Sequence, residues 1–227
     1  MKFIVIGLGY FGSTLAVNLT LRGHEVIGID NRFEKIEEFK DSITHVMVMD
    51  TTNEIAVKSL PLDDSDAVIV AIGEDVGSSI LTLSILKNMK VKHIIGRIIS
   101  PIHHSILKQI GIIHVVHPEE ETAFAVISKL QLKNAIRVIE LSNSNVIAEL
   151  YTPKKYINRT LESINIFKRF NLKLIAVNVA PVKKKDQEIL KENYQMNYDM
   201  DTQTPLAAND ILIVAGEMSG VRRFIDE

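Results

Sequence analysis

At 227 residues the chain can form one large domain or two small ones, and 46% hydrophobic with 24% charged residues is ordinary for a soluble globular protein. A net charge of −2 offers no bulk attraction to nucleic acid or to an anionic membrane surface. The sequence has no cysteine, which excludes disulfide and thiolate chemistry and fits a reducing cytoplasm.

The first element reads as a strand. Lys2 to Ile6 is a short apolar run of the kind buried on both faces of a sheet. Gly7, Gly9 and Gly12 follow in the spacing G-x-G-x-x-G, and a helical pattern continues through Ala16, Leu19 and Leu21. A second strand, Glu25 to Ile29, ends on Asp30. Gly7 permits a tight turn, Gly9 keeps side-chain atoms away from a pyrophosphate, and Gly12 lets the helix lie close to the strand. The helix N-terminus supplies unpaired N–H groups and partial positive charge to a phosphate. Asp30 stands where a carboxylate accepts from a ribose 2′-OH, which favours NAD(H) or an adenine nucleotide over NADP(H). Arg32 softens that exclusion, because an arginine there can pair with a 2′-phosphate. The alternative is that the glycines serve packing alone. Met1, Lys2 and the apolar run share the outline of a signal peptide, but glycines interrupt it and no small-residue cleavage site follows. No stretch supplies the ~20 apolar residues needed to span a bilayer.

A short helix is expected from Phe33 to Lys40, a third strand from His45 to Met49, and a helix from Asn53 to Leu60 that stops at Pro61. Asp66 to Ile72 is a fourth strand, Val76 to Met89 a helix, His93 to Ile99 a fifth strand, Pro101 to Ile110 a helix, and Ile112 to Val116 a sixth strand. Pro118 and Glu119, Glu120 and Glu121 open a helix running to about Lys133, acids being favourable at a helix start. This alternation predicts an α/β fold, a Rossmann-like, doubly wound, parallel six-stranded sheet over residues 1–134, with ligands at the carboxyl ends of its strands. Those ends carry Gly7, Leu8, Gly9, Asp30, Asp50, Gly73 and Arg97. Arg97 is a lone arginine in an apolar strand; its partner is a phosphate or a nearby carboxylate.

From Ala135 the pattern changes to that of a small α+β domain, residues 135–227. Ile136 to Leu141 and Val146 to Leu150 flank a hairpin turn; a helix is expected from Asn158 to Phe167 and strands from Lys173 to Val179 and Asp210 to Gly216. Residues 181–204, with Lys183, Lys184 and Lys185, read as a solvated hairpin excursion, and Met218 to Ile225 as a terminal helix. Adjacent His103 and His104 point in different directions on a helix, make a poor chelating pair, and are read as surface residues.

Taken together, the chain resembles the regulator-of-potassium-conductance (RCK) family, of the type that forms the regulatory subunits of bacterial Trk/Ktr potassium uptake systems. The residues that carry the resemblance are Gly7-Leu8-Gly9-Tyr10-Phe11-Gly12, Gly23-His24-Glu25-Val26, Asp30, Thr44-His45, Val70-Ala71-Ile72-Gly73, His117-Pro118-Glu119 and Ala208 to Gly216. The resemblance covers essentially the whole chain, including the family's C-terminal TrkA-C-like module. It implies a regulatory nucleotide, NAD(H) or ATP/ADP, held by Gly7 through Gly12, Asp30, Asn31, Asp50, Thr51, Ile72, Gly73 and Arg97. Asp50 and Thr51 fall where the family meets adenine. Glu119 matches a glutamate that in some members helps hold a divalent cation between subunits. Many ATP-binding members have an arginine where this chain has Tyr10, and a phenol supplies no charge to a terminal phosphate. In some relatives the C-terminal module binds cyclic di-AMP, in a region corresponding to Arg169 and Phe170. The resemblance further implies a homo-oligomer, dimers assembling into a tetrameric or octameric ring, docked at the inner face of the membrane on a potassium-translocating subunit, with no nucleic-acid partner. Two other classes are weighed beside it: a small NAD-dependent dehydrogenase, and a nucleotide or solute sensor with another partner. A dehydrogenase requires an acid or base beside the nicotinamide, and the sequence has no histidine after His117.

Overall fold

The computed structural model describes residues 1–132, 134–142, 144–179, 194–199 and 201–226. Two compact units emerge, Met1–Glu120 and Glu121–Glu227. The first contains strands β1 (Lys2–Ile6), β2 (Glu25–Asp30), β3 (His45–Val48), β4 (Ala67–Val70), β5 (Ile94–Arg97) and β6 (His114–Val116). Between them run helices α1 (Tyr10–Leu21), α2 (Phe33–Phe39), α3 (Glu54–Val57), α4 (Val76–Asn88) and α5 (Pro101–Ile110). All strands pair in parallel in the order β3-β2-β1-β4-β5-β6. That order reverses direction between β1 and β4, and a crevice opens there at the strands' carboxyl ends.

The central strands are apolar at both parities because both faces are covered. Ile4, Ile6, Ile27, Ile29, Val68 and Val70 pack on one side with Leu83 and Leu86 of α4 and Leu107 of α5. Val5, Val26 and Ile69 face the other way, against Ala16 of α1 and Ile36 of α2. Helix starts differ in a way that bears on function. Asn53, Asp75 and Ser100 cap α3, α4 and α5 with their side chains. α1 begins at Tyr10, directly after Gly9, with no side-chain cap and no acid in its first turn. The reading of His103 as a surface residue is wrong. Its side chain is fully buried, four residues before Leu107 on the inner face of α5, and Nδ1 accepts from the Ile99 N–H at 3.3 Å. Burial, then the neighbouring charge of His104, holds its pKa below the ordinary histidine value.

Helix α6 (Pro118–Gln131) runs across the division between the units. Beyond it, β7 (Ala135–Ser142), β8 (Asn145–Tyr151), β9 (Leu172–Val179), β10 (Gln195–Asn197) and β11 (Ile211–Glu217) form an antiparallel sheet ordered β10-β9-β11-β8-β7. The predicted helix at 158–167 is instead two short ones, α7 (Leu161–Ile164) and α8 (Ile166–Phe170), divided at Asn165, whose φ of 50° breaks the helical path. The first begins later than expected, capped by Thr160, whose side chain accepts from the Ser163 N–H. With α9 (Met218–Asp226) they bury an aromatic cluster: Phe224 stacks on Tyr156 at 5.0 Å between centroids and meets Phe170 edge-on at 5.2 Å. Lys183, Lys184 and Lys185 lie outside the described residues. Among the described residues, no helix is long and apolar enough to cross a membrane.

Candidate functional site

The glycine turn sits at the point where the strand order reverses. Gly7 donates its N–H to the Ile29 carbonyl at 2.7 Å and has φ of +93°, a conformation that favours glycine. A Cβ on Gly12 would lie 1.9 Å from the Gly7 carbonyl oxygen and 2.9 Å from the Ala71 Cβ, so only glycine lets α1 approach the sheet this closely. Gly9 differs from both: a Cβ there would meet nothing within 4 Å. Its bare backbone borders open space at the uncapped start of α1, where an anion would find free N–H groups.

Asp30 lies directly beneath this turn and is only 4% exposed. One oxygen, Oδ2, accepts from the Leu8 N–H at 2.8 Å and from Arg32 Nη2 at 3.2 Å. The other, Oδ1, accepts from the Arg32 backbone N–H and from Nε, each at 3.0 Å. Burial alone would raise its pKa, but the bonds from Arg32 and Leu8 outweigh that and hold it below the ordinary carboxylate value. Asp30 therefore already has a structural job, bracing the glycine turn through Leu8, whose side chain is buried under it. A ribose hydroxyl reaching this carboxylate competes with Arg32. Arg32 also reaches Glu74 across the crevice at 3.3 Å. Asn31 beside it is exposed.

On the β3 side, Asp50 is exposed and turned onto its own loop, accepting from the N–H and hydroxyl of Thr52 at 2.9 and 2.7 Å. Those bonds lower its pKa. Thr51 is buried, its hydroxyl 2.9 Å from that of Thr82 in α4, so it anchors the loop to the helix. On the opposite side, half-buried Ile72 and Gly73 continue from β4, and the Arg97 guanidinium lies across Gly73. A Cβ on Gly73 would sit 2.3 Å from Arg97 Nη1, which makes Gly73 the floor of an arginine slot. Nη1 donates to the Ala71 carbonyl at 3.4 Å, Nη2 pairs with Glu119, and the guanidinium carbon lies 5.7 Å from the centre of the Phe11 ring. Nε is buried with no hydrogen-bond partner. Tyr10, beside Phe11, is 93% exposed.

Of the two partners the sequence left open for Arg97, the structure contains the carboxylate. Glu119 is tied to Arg97, and burial, which would raise its pKa, is outweighed by that bond. Among the described residues no group of three or more His, Cys, Asp or Glu side chains is arranged to hold a metal ion. The crevice thus brings together Gly7, Gly9, Gly12, Asp30, Gly73 and Arg97, while Leu8 and Thr51 work from below.

A model of the TrkA-N domain matches residues 3–118, just over half of the chain. The chain belongs to the TrkA-N family. Ktr system potassium uptake protein C of Bacillus subtilis (strain 168) is 31% identical over 228 residues, covering 98% of this chain and 95% of that protein. Among solved structures, the RCK domain of GsuK superposes with a TM-score of 0.62 at 16% identity, over 100% of this chain and 47% of that one, a likeness of fold. The NAD(P)-binding domain of an exopolyphosphatase-related protein from Archaeoglobus fulgidus matches with a TM-score of 0.50 and 29% identity, over 57% of this chain and 96% of that one. Sequence reasoning missed Glu74, Thr82, the Phe11 ring beneath Arg97, and the pairing of Arg32 with Asp30 in place of a 2′-phosphate. Only the Arg32 position carried a signal, an arginine two residues after the acid that ends β2.

Proposed function

We propose that this chain is a nucleotide-sensing regulatory subunit of a potassium uptake system, acting at the cytoplasmic face of a membrane-embedded translocating subunit. Two findings support it: whole-length similarity to a Ktr potassium uptake protein, and an open cradle over Gly9 at the uncapped start of α1. The second carries the ligand class, because N–H groups aimed at open space with an arginine slot alongside suit a phosphate. NAD(H) and ADP or ATP are the candidates, with Asp30 and Asn31 toward ribose, Asp50 toward adenine, and Gly7 through Gly12, Ile72, Gly73 and Arg97 along the phosphates. The ligand acts as a signal: its differential affinity for two arrangements of a homo-oligomeric ring biases the partner's gating. A divalent cation at Glu119 belongs to that assembly, since the ligands it needs beyond Glu119 come from a second copy or from the nucleotide.

A second ligand site in the C-terminal unit is favoured by a cavity of about 810 Å³ lined by Asn165, Phe167, Lys168, Lys173, Ile175 and Tyr198. Two lysines beside exposed aromatic rings suit a cyclic dinucleotide such as cyclic di-AMP. Phe170 is in the core and Arg169 stacks on it at 5.1 Å, so Phe167 and Lys168 are the better contacts.

A thermal-shift panel of ATP, ADP, NAD⁺, NADH and cyclic di-AMP, run beside an assay for NADH oxidation and co-purification with a membrane subunit, tests the proposal. A true ligand stabilises by about 2.7 kcal/mol at one hundred times its Kd. Stabilisation without hydride transfer is expected; turnover of NADH, or indifference to every nucleotide, would overturn it. Within this reading Tyr10→Arg adds a cation at the first residue of α1 and is expected to raise the ATP-to-ADP affinity ratio several-fold. An unchanged ratio would remove position 10 from the phosphate site.

A further inference from the structure

We infer that Arg97 is shared between two rival anions, the Glu119 carboxylate and a nucleotide phosphate, and that binding of the phosphate detaches the first turn of α6. The inference deepens the nucleotide reading and rests on it.

The two members of the pair are held very differently. The Arg97 side chain is 17% exposed and gripped by the fold: Gly73 forms its floor, Phe11 lies beneath it, and the Ala71 carbonyl accepts from it. Glu119 is 66% exposed and reaches in from the second residue of α6. Exchange therefore keeps the cation in place and returns the carboxylate to water, where it is readily solvated. Arg97 also has bonding capacity to spare, because its Nε is buried and unpartnered. A phosphate, with three oxygens and up to two charges, can use that donor together with Nη2 in a bidentate grip, which the single contact from Glu119 does not. The arriving phosphate has a defined location. Phe11, beneath the guanidinium, belongs to the first turn of α1, the uncapped helix start beside the open face of Gly9.

What exchange releases follows from the chain path. Glu119 lies at the end of the first compact unit, and α6 continues from it into the second. Glu120 and Glu121 follow on the same turn, so a freed Glu119 adds to a cluster of like charges that Arg97 partly neutralised. The element loosened on nucleotide binding is thus the covalent link between the two units. An arriving phosphate becomes a mechanical event without any shift of the sheet.

The test is titration calorimetry on the full chain in EDTA, with ADP and adenosine as separate ligands and Glu119→Gln beside the native protein. The replaced residue is exposed, so the core is untouched. Removing the rival is expected to tighten ADP by about two- to fivefold, the scale of a partly exposed ion pair. Adenosine, which has no phosphate, is expected to bind both proteins equally. Hydrogen exchange supplies a second readout: saturating ADP speeds exchange of amides 122–125 in the native chain, and in Glu119→Gln these amides are already fast and do not respond. Unchanged ADP affinity, an equal gain for adenosine, or weaker ADP binding in the variant would overturn the inference. Native protein that binds neither ADP nor NAD⁺ would instead remove the nucleotide reading beneath it.

Discussion

Asp30→Ala is expected to erase the nucleotide-induced thermal shift while leaving a folded protein. The side chain supplies an acceptor for the Leu8 N–H and for three donors of Arg32, and is nearly fully buried. Deleting it leaves the Leu8 N–H without a partner, at a cost of about 1–3 kcal/mol. Arg32, 41% exposed, turns to water or to Glu74. In the proposed reading a nucleotide loses on a similar scale, about 10–100-fold in affinity, because the turn loses its brace and the ribose its charged acceptor. Asp30→Asn keeps an acceptor for Leu8 and is expected to recover stability but not full affinity. A normal shift in the alanine variant would dismiss the ribose role. The same group sets an acid limit. Its folded pKa is depressed, so its contribution is complete above the unfolded value of about 3.9 and disappears as pH falls through the lower folded value. The gap in urea midpoint between the native chain and Asp30→Ala is expected to be constant between pH 5 and pH 7 and to narrow below about pH 4.

Gly12→Ala and Gly9→Ala are expected to fail in opposite ways. At position 12 the added methyl would fall 1.9 Å from a backbone oxygen of the turn, and no rotamer change relieves that contact. α1 must move off the sheet, with a loss above about 3 kcal/mol and no cooperative unfolding of the first unit by calorimetry. At position 9 the backbone is extended, at φ −66° and ψ −176°, and the space around it is empty. Alanine there is expected to leave stability within about 1 kcal/mol or raise it slightly, while placing a methyl where the phosphates pass and weakening nucleotide binding. A stable Gly12→Ala protein would mean that α1 packs farther out; full affinity in Gly9→Ala would mean that the phosphates take another route.

The first sheet was legible because its strands are apolar at both parities and each is followed by a helical stretch, three of them opened by a capping residue. Residue type alone announces Asn53, Asp75 and Ser100 as caps. The site was legible as far as it depends on local spacing: Gly7, Gly9, Gly12 and the acid ending β2. It became illegible where a partner comes from afar or a residue serves two purposes. Nothing near Arg97 in sequence points to Glu119, and nothing near Thr51 points to Thr82. His103 was misread because adjacency on a helix rules out joint chelation but leaves open which of the two faces inward. The break at Asn165 was missed because one residue with positive φ overrides an otherwise helical stretch of Leu, Ile and Phe.

The unfinished start of α1 has a thermodynamic meaning for the proposed nucleotide site. A side-chain cap there would contribute about 1 kcal/mol at all times; Gly9 forgoes it and leaves the first N–H groups of α1 without a side-chain acceptor. Under the proposed nucleotide reading a bound phosphate would complete a secondary-structure element, so that saturation and rigidity would rise together. A residue at position 9 that capped the helix with its own side chain is expected to add about 1 kcal/mol of stability and to weaken phosphate binding at the same N–H groups.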